Sequence, residues 1–355
     1  MLAKEKTDEI VPKVGGKKKV ESEKEETPEV KSSEKKESKE KKKEEKAITL
    51  SDLPGVGPAT VDKLNSVGYN DLMSVAVATP GEIIEVTGMA ESAAKKLIAA
   101  ARTSLDMGFE SGMDLLKKRE KVIKISTGSE TFDTLMGGGF ESGAITECFG
   151  EFGSGKTQIG HILAVNVIKQ YSDATVVYID TESTFRPERI IELAKGAGLD
   201  SEKVLNNIKI ARAFNSDHQM LLAEKIDDLI KKQNLNVKLV IIDSLTAHFR
   251  AEFIGRGTLA ERQQKLNRHM RDLSKVASIN NVCVYVTNQV MSKPDQFFGD
   301  PTQAIGGHIV AHASTFRIYL RKGKKGSRVA KLIDAPNLAD GECNFFVETN
   351  GLKDV

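Results

Sequence analysis

A stretch near the middle of the chain has residue types and a spacing that suit phosphate binding. It has a glycine, four further residues, a second glycine and then Lys-Thr, and reads Gly150-Glu151-Phe152-Gly153-Ser154-Gly155-Lys156-Thr157. Glycines let backbone N–H groups converge on phosphate oxygens, and the N-terminus of a following helix adds the positive end of its dipole. Lys156 would reach the β- and γ-phosphates of a nucleotide, and Thr157 would hold Mg²⁺. The stretch therefore predicts a nucleotide site.

Three polar residues follow apolar runs further along the chain, where the carboxyl ends of strands are expected. Asp243 follows four aliphatic residues and would bind Mg²⁺ through water or Thr157. Glu182 could orient and deprotonate an attacking water, and Gln289 could hydrogen-bond the γ-phosphate. Each residue taken alone could also be a helix cap or a turn residue. Together with a phosphate loop they favour one site, because ligands bind at the carboxyl ends of parallel strands.

Two stretches have the composition of a polyanion-binding surface. Residues 248–262 carry Arg250, Arg256 and Arg262, with a glycine on each side of Arg256. Residues 290–308 are rich in glycine, proline and polar residues and contain Phe297 and Phe298. Arginines with nearby aromatic rings suit phosphate contact and base stacking on single strands. The alternative is a pair of mobile surface loops whose charges are only solvated.

A second glycine-rich turn lies closer to the N-terminus, in the sequence Leu53-Pro54-Gly55-Val56-Gly57-Pro58. With a short helix before it and another after it, this turn resembles a helix-hairpin-helix motif, in which hairpin amides and a helix N-terminus receive a nucleic-acid phosphate. Gly55 and Gly57 lie in the hairpin, and Lys63 is near enough to assist. A weaker copy precedes a helix that carries Lys95 and Lys96. The alternative is a small helical domain whose glycine turns serve packing only.

Residues 107–121 link this region to the next and contain Phe109 and Gly112. We expect Phe109 to be exposed on an extended segment. An apolar side chain on a linker docks either onto its own core or onto a neighbour. The residues alone leave both possibilities open.

The candidate site requires a scaffold that brings distant parts of the chain to one edge. Continuous apolar runs predict strands at residues 144–149, 175–180, 208–211, 237–242 and 282–287. Helical segments separate them, with Pro187 at a first helical position and one further helix marked by Leu222, Ile226, Leu229 and Ile230. This alternation predicts an α/β fold with a mostly parallel central sheet covered on both faces.

Composition divides the chain and limits its class. Residues 1–47 hold 15 Lys and 13 Asp or Glu, and 15 − 13 equals the formal net charge of +2 for the whole chain. Such a tract buries too little apolar surface to offset its ordering entropy, so we expect a disordered tail. We find no bilayer-spanning apolar run and no signal peptide, and we expect no membrane partner. Three widely separated cysteines indicate reduced thiols of a cytoplasmic protein.

Several longer stretches resemble the archaeal RadA-type recombinases of the RecA superfamily. The resemblance covers the chain from about residue 48 to the C-terminus and rests on the phosphate loop with Gln158 and on the following segments: Phe185-Arg186-Pro187-Glu188-Arg189, Arg212-Ala213-Phe214-Asn215-Ser216-Asp217, Ala260-Glu261-Arg262-Gln263-Gln264-Lys265-Leu266, Thr287-Asn288-Gln289-Val290 and Ile305-Gly306-Gly307-His308. It implies a RecA-type core with a phosphate loop at residues 122–355 and a small all-α helix-hairpin-helix domain at residues 48–106. It also implies an ATP-driven filament on DNA that pairs homologous strands.

The resemblance implies individual roles as well. Glu182 would be the catalytic carboxylate, and Arg189 would stack on adenine. The two polyanion-binding stretches match the family's two DNA-binding loops, and His312 matches a position that relays the γ-phosphate state to DNA. Asp334-Ala335-Pro336 matches a cap that the adjacent protomer lays over the nucleotide. Phe109 matches the family's polymerisation phenylalanine, which favours docking onto a neighbour.

The sequence departs from the family pattern at a few positions. Ser183 stands where Gly or Asn is usual, Gly112 replaces the commoner Ala of the polymerisation motif, and Ala339 replaces a usual Pro. The link at residues 169–174 is shorter than in most members, and the long charged tail is not typical. None of these departures removes a catalytic group.

The resulting prediction is an ATP- and Mg²⁺-dependent recombinase of DNA repair, cytoplasmic and nucleoid-associated. Its predicted partners are single- and double-stranded DNA, recombination mediators, and further copies of itself in a filament or ring. The alternatives are a mediator paralogue without strand exchange, a DNA-binding scaffold with a structural nucleotide, and a hexameric helicase. The apparently intact hairpin and second loop disfavour the first, Glu182 disfavours the second, and Phe109 with the small N-terminal domain disfavours the third.

Overall fold

The computed structural model describes residues 49–105, 109–292 and 302–355. The first range contains a 3₁₀ turn at Leu50–Asp52 and the helices α1 (Pro58–Ser66), α2 (Leu72–Ala76), α3 (Pro80–Thr87) and α4 (Glu91–Ser104). Their apolar faces form one small core that includes Leu64, Ile83 and Leu97. The predicted small all-α region near the N-terminus is thereby confirmed, whereas the predicted tail lies outside the described residues.

Local sequence explains where α3 begins and ends. The Thr79 hydroxyl accepts a hydrogen bond from the backbone N–H of Glu82, and the Glu82 carboxylate accepts one from the Thr79 N–H. Pro80 fits the first helical position because its ring fixes φ near the helical value. Gly88 ends the helix with a φ of 72°, a left-handed backbone that costs little without a Cβ.

A single helix, α5 (Gly112–Arg119), occupies most of the linker. Ser111 caps it by accepting from the N–H of Asp114, and basic residues in its last turn suit the negative end of the helix dipole. No residue of α5 is buried. Phe109 lies before the helix, outside regular structure. The expectation that Phe109 is exposed is confirmed, and the capping serine and helix-forming side chains explain the unpredicted helix that follows it.

The remaining elements alternate strands and helices over most of their length. In chain order they are β1 (Lys124–Ile125), α6 (Glu130–Leu135), β2 (Phe140–Glu141), β3 (Ile145–Gly150), α7 (Lys156–Gln170), β4 (Thr175–Asp180), α8 (Pro187–Gly196), α9 (Ser201–Asn206), β5 (Ile208–Arg212), α10 (Ser216–Glu224), α11 (Ile226–Lys231), β6 (Val237–Asp243), α12 (Ala247–Glu252), α13 (Leu259–Asn280), β7 (Cys283–Asn288), β8 (Val290–Ser292), β9 (Thr302–Ala304), α14 (Gly307–Ala313), β10 (Phe316–Lys322), β11 (Arg328–Asp334), β12 (Gly341–Glu348) and β13 (Gly351–Asp354). Short 3₁₀ turns lie at Arg256–Thr258 and Lys324–Gly326.

A nine-stranded sheet with the order β13-β12-β11-β10-β3-β7-β6-β4-β5 forms the centre of this part. The six strands from β10 to β5 in that order pair in parallel, and β11, β12 and β13 pair antiparallel at one edge. The prediction of a mostly parallel central sheet is confirmed. Because β3, β7, β6 and β4 are neighbours and run in the same direction, their carboxyl ends meet at one edge.

Helices cover both faces of the sheet. On one face α7 and α8 bury Ile159, Leu163 and Ile190 in a core shared with Tyr178 of β4. On the other face α13 and its neighbours bury a second set that includes Leu266. None of the helices in the described part of the chain is both long and apolar enough to cross a membrane.

One predicted helix is divided. The single helix predicted from Leu222 to Ile230 is two helices, α10 and α11, which meet at Lys225. The Lys225 N–H bonds to the Leu221 carbonyl at the end of α10, and the Lys225 carbonyl accepts from Leu229 in α11. The apolar periodicity continues from α10 into α11, so the sequence pattern does not show that the helix is divided at Lys225.

Candidate functional site

The predicted phosphate loop connects the end of β3 to the start of α7. Gly153 and Gly155 have φ values of 75° and 108°, which only glycine adopts readily. A Cβ on Gly150 would lie 2.1 Å from the Leu320 carbonyl oxygen of the neighbouring strand β10. Glycine is thus needed at these positions for two reasons, the backbone conformation of the loop and the close approach of β10.

The Lys156 ammonium lies inside this loop. Its Nζ donates to the carbonyl oxygens of Gly150 and Glu151 at 2.8 and 2.9 Å. Burial lowers the pKa of Lys156 from its ordinary value, and the negative charge of Asp243 opposes that shift. A cation in this position, held by the loop itself, is placed for the phosphates of a nucleotide.

Asp243, at the end of β6, is buried and accepts hydrogen bonds from four hydroxyl groups. Its Oδ2 accepts from Thr157 at 2.7 Å, from Tyr178 at 3.0 Å and from Thr184 at 3.1 Å. Its Oδ1 accepts from Thr287 at 2.5 Å. Burial, with Asp243 beside it, raises the pKa of Tyr178 well above its ordinary value, so its hydroxyl remains a donor. The carboxylate is therefore fixed next to the Thr157 hydroxyl.

The Thr157 and Asp243 oxygens fit Mg²⁺. Magnesium prefers hard oxygen ligands and is usually held by one or two carboxylates together with substrate phosphates and water. The described residues contain no cluster of three or more His, Cys, Asp or Glu side chains that could hold a metal alone. This donor set therefore suits a metal that arrives with the phosphates of a nucleotide.

Glu182 and Gln289 meet at the edge of the sheet. The Gln289 side-chain amide donates to Glu182 Oε1 at 2.5 Å, although the two residues follow different strands, β4 and β7. Burial, and next the negative charge of Asp243, raise the pKa of Glu182 above its ordinary value. A carboxylate with a raised pKa accepts protons more readily, which suits a general base.

Ten of the residues predicted from the sequence line one cavity of about 910 Å³. They are Gly150, Glu151, Phe152, Gly153, Gly155, Lys156, Thr157, Glu182, Asp243 and Gln289. Ser154, which was also predicted, is fully buried and does not line the cavity. The volume lies within the roughly 300–1,000 Å³ typical of ligand pockets.

Three residues predicted to contact the nucleotide lie outside the cavity lining. Arg189 has both edges of its guanidinium occupied: Nε donates to Gln158 at 2.8 Å and Nη2 to the Glu348 carbonyl at 2.6 Å. These bonds fix the orientation of the guanidinium plane. Asp334 and Pro336 are exposed at and just beyond the end of β11.

Sequence reasoning missed several residues that line the cavity, among them Arg328 at the start of β11. Its Nη1 donates to the Gly326 and Ser327 carbonyls, and its Nε is buried without a partner. No spacing pattern marks this arginine, because the sheet brings β11 beside the loop from far along the chain. A lone Arg in a Lys-rich turn was the only available signal.

The predicted nucleic-acid residues occupy a separate group of elements. Arg250 is exposed on α12, and Arg262 is partly exposed in the first turn of α13. Arg256 lies in a 3₁₀ turn, and its side chain is outside the described structure. Phe297 and Phe298 also lie outside the described residues.

The two ends of the second stretch are described. Strands β8 and β9 pair antiparallel and bring the chain back to α14, where the exposed His312 stacks against His308 with ring centroids 5.7 Å apart. Asn288, fully buried at the end of β7, donates to Glu147 Oε1 at 2.7 Å and to the Ile305 carbonyl at 2.6 Å. The residue next to Gln289 thus ties the start of this stretch to its return, a contact that sequence reasoning missed.

The N-terminal helical unit presents its hairpins with open backbone. Gly55 has a φ of 80°, and Gly57 precedes α1 without a side-chain cap. Pro58 has no N–H and the Thr60 N–H bonds to the Gly57 carbonyl, so only part of this helix N-terminus can offer amides to a phosphate. The Lys63 ammonium donates to the Thr87 carbonyl at 3.2 Å, next to the second glycine turn at Gly88. The structure therefore places Lys63 between the two hairpins.

Comparisons with known proteins agree with this arrangement. A profile of the Rad51 family matches residues 118–355, and one described as a SAM-like helix-hairpin-helix tandem matches residues 47–103. The "DNA repair and recombination protein RadA" of Methanococcus maripaludis (strain C5 / ATCC BAA-1333) is 54% identical over 322 residues, which cover 87% of this chain and 100% of that protein. The protein of the same name from Methanococcus voltae is 54% identical over 319 residues, 86% of this chain and 99% of its own length.

The sheet, the phosphate loop and the residues around it define a protein with a RecA-like ATP-binding fold. Within that class the chain belongs to the Rad51 family. The resemblance to RadA-type recombinases in the sequence is thereby confirmed.

Proposed function

We propose that this protein is an ATP-dependent recombinase of DNA repair. It forms helical filaments on single-stranded DNA and catalyses homologous pairing and strand exchange, with DNA-dependent ATP hydrolysis. The observation that carries the proposal is the convergence of Lys156, Thr157, Glu182, Asp243 and Gln289 on one cavity. It is supported by relatives that are named DNA repair and recombination proteins and match most of the chain.

The cofactors of the reaction are ATP and Mg²⁺. Loop amides and Lys156 would hold the β- and γ-phosphates, and Thr157 and Asp243 would hold the metal, which offsets charge on the phosphates. Glu182, with its raised pKa, takes the proton of the attacking water. Gln289 orients Glu182 and is placed to detect the γ-phosphate. Arg189 offers a guanidinium face to adenine.

DNA binds at two places in this proposal. In the core, Arg250, Arg256 and Arg262 contact phosphates, while Phe297 and Phe298 stack with bases and His312 couples that loop to the nucleotide. In the N-terminal domain, the hairpin amides of Gly55 and Gly57 contact phosphate with help from Lys63. Single- and double-stranded DNA are therefore both partners.

Self-assembly supplies the filament, and two exposed apolar features of the described residues support it. Phe109 is fully exposed just before Gly112 and α5. At the free edge of the nine-stranded sheet, β5 and the residues after it expose Ile210 and Phe214, which are 48% and 69% accessible. An exposed apolar edge strand is a template for another chain. Contact between two different patches repeats into a helix or a ring.

The nucleotide lies at this interface in the proposal. Asp334 and Pro336 are exposed and do not line the cavity of their own protomer, which suits a cap laid over a neighbour's ATP.

The domains in this proposal are a tail (1–47), a helix-hairpin-helix domain (48–106), a linker with the polymerisation motif (107–121) and an ATPase core (122–355). Recombination mediators as partners, and a cytoplasmic, nucleoid-associated location, belong to the same proposal.

The alternative is a mediator paralogue that loads recombinase without exchanging strands. It predicts ATP binding without substantial DNA stimulation of hydrolysis. Hydrolysis should be measured with and without single-stranded DNA for the wild type, for Lys156→Ala and for Lys169→Ala. Lys169 is an exposed lysine at the other end of α7 and serves as the matched control.

The proposed function predicts DNA-stimulated hydrolysis in the wild type and in Lys169→Ala. It predicts none in Lys156→Ala, because the β- and γ-phosphates lose their cation. Hydrolysis near the wild-type rate in Lys156→Ala would reject the site. A wild-type rate of hydrolysis that is the same with and without single-stranded DNA would favour the mediator paralogue.

A further inference from the structure

Asp180 ends β4 two residues before Glu182, and the proposed function gives it no role. It is 5% exposed, and its carboxylate faces the backbone of the turn that follows. Oδ1 accepts from the N–H groups of Glu182 and Thr184 at 3.2 and 3.1 Å, and Oδ2 accepts from the N–H of Phe185 at 3.1 Å. One buried side chain therefore binds three of the four residues at 182–185.

Ser183, the remaining residue of this turn, has an unfavourable backbone conformation. Ser183 has a φ of 58°, in the left-handed region that a residue with a Cβ adopts at a cost. Such conformations persist only where the surrounding structure holds them. The three hydrogen bonds to Asp180 span Ser183 on both sides, since they come from residue 182 and from residues 184 and 185.

The rest of the turn is anchored at its flanks. Before it, the Thr181 hydroxyl donates to the Ser244 carbonyl at 2.9 Å. After it, the Phe185 ring packs edge-on against Tyr178 with centroids 5.0 Å apart. These contacts fix where the turn enters and leaves the core. Between these anchors, three backbone N–H groups of the turn donate to the Asp180 carboxylate. Two side-chain bonds add to them: the Thr184 hydroxyl donates to Asp243 at 3.1 Å, and Arg186 donates to the Ser183 carbonyl at 3.0 Å.

We propose that Asp180 is a positioning residue, which clamps the strained turn and thereby aims the Glu182 carboxylate into the cavity. The inference rests on the proposed role of Glu182 as the base. Without the clamp, the turn would relax away from the left-handed backbone at Ser183. Glu182 Oε1 would then leave its 2.5 Å contact with Gln289.

The chemistry of the clamp requires two acceptor oxygens. Asp180→Asn keeps the size and shape of the side chain but replaces one oxygen with an NH₂ group, which donates and cannot accept. That group would face at least one backbone N–H of the turn. Nucleotide contacts through the phosphate loop, Lys156 and Asp243 are left in place, so binding and chemistry should separate.

The first measurement is steady-state ATP hydrolysis with saturating single-stranded DNA. Asp180→Asn should lower kcat by roughly ten- to a hundredfold, the loss expected for a displaced catalytic group, with KM for ATP within about twofold. In the Glu182→Gln background, Asp180→Asn should cause no further loss, because no base remains to be misplaced. An unchanged kcat in the single variant, or a full second loss in the double variant, would overturn the proposal.

Two further variants separate positioning from stability. Ser183→Gly removes the backbone cost, so it should restore part of the kcat of Asp180→Asn when the two are combined. Asp133→Asn is the matched control: this carboxylate accepts from the N–H and hydroxyl of Thr127 at 2.8 and 2.7 Å, in a different turn. It should lower the melting temperature and leave kcat unchanged. No rescue by Ser183→Gly would show that the strain at Ser183 is not what Asp180 opposes.

The clamp can also be tested without hydrolysis. Amide hydrogen exchange of residues 182, 184 and 185 should be slow in the wild type and faster in Asp180→Asn, while exchange in β4 stays slow. Equal protection in both proteins would overturn the clamp. A wild type that hydrolyses no ATP would reject the proposed function instead, and the exchange experiment would still decide whether Asp180 holds the turn.

Discussion

At the scale of single residues, the ionisation of Glu182 is the property on which the proposed chemistry depends. Burial, and then the charge of Asp243, raise its pKa, whereas the hydrogen bond from Gln289 opposes the shift. The folded protein therefore disfavours the charged form relative to the unfolded chain. The free energy of unfolding should therefore depend on pH through Glu182, and this can be measured without any catalytic assay.

The sign of the effect follows from linkage. Because the folded pKa lies above the unfolded one, the cost of ionised Glu182 is absent below the unfolded value and complete above the folded value. Glu182→Gln should therefore gain stability relative to the wild type as the pH rises from below 4.5, the ordinary value, through the raised folded pKa, in the absence of nucleotide. Denaturant unfolding at several pH values measures this. A constant difference between the two proteins would contradict the raised pKa.

Single residues of the candidate site can be predicted from the sequence where the chemistry has a local pattern. The phosphate loop and Asp243 after its aliphatic run can be found from spacing alone. Asp180, Asn288 and Arg328 cannot, because their roles arise from contacts between strands or with a turn whose backbone conformation the sequence does not show. The sequence shows Ser183 as a departure from the family pattern, but only its φ of 58° explains why a glycine or asparagine would suit the position.

At the scale of elements, pairing between β3 and β10 sets a tight requirement on the phosphate loop. Gly150 and Leu320 are paired in the register of these parallel strands. The atom nearest to a Cβ on Gly150 would be the Leu320 carbonyl oxygen, which belongs to the backbone and cannot move away cheaply. Gly150 therefore serves both the strand pairing of β3 with β10 and the start of the phosphate loop.

Gly150→Ala should destabilise the protein by at least about 1–3 kcal/mol, the usual cost of overpacking a core. Gly112→Ala is the matched control, because no atom lies within 4 Å of its Cβ and its φ is not positive. It should be neutral or stabilising by up to about 1 kcal/mol. Thermal melting of both variants tests the difference, and equal melting temperatures would contradict the close packing at Gly150.

Strand prediction followed burial. The parallel strands β3, β4, β6 and β7 are buried along nearly their whole length, so apolar residues dominate β4, β6 and β7, although β3 also buries Thr146 and Glu147. The antiparallel strand β12 buries Cys343 and Phe345 but exposes the residues between and before them. Short alternating patterns of this kind are weak signals, so the sequence predicts no strand after residue 287.

At the scale of the whole molecule, function requires many copies of the chain in the proposed account. Phe109 is exposed on each protomer, and in this account the β5 edge of the described sheet would receive it. Burying one phenylalanine contributes about 1.5–3 kcal/mol. Over a filament the same contact repeats at every interface, so a single truncation weakens the assembly throughout.

Phe109→Ala should therefore reduce the size of the assembly formed with ATP and single-stranded DNA, and with it the DNA-stimulated hydrolysis. Light scattering measures the size. Val67→Ala is the control, since Val67 is an exposed apolar residue at the end of α1. If Phe109→Ala assembles normally but melts at a lower temperature, Phe109 belongs to its own protomer's core and the filament interface lies elsewhere.

The most direct test of the central claim is strand exchange between a single strand and a homologous duplex, followed by release of a labelled strand. With ATP and Mg²⁺ the wild type should release the labelled strand from a homologous duplex and leave a heterologous duplex intact. Lys156→Ala should release none from either, because it cannot hold the phosphates. Release that proceeds without ATP, or none by a wild-type protein that hydrolyses ATP on DNA, would contradict the assignment as a recombinase.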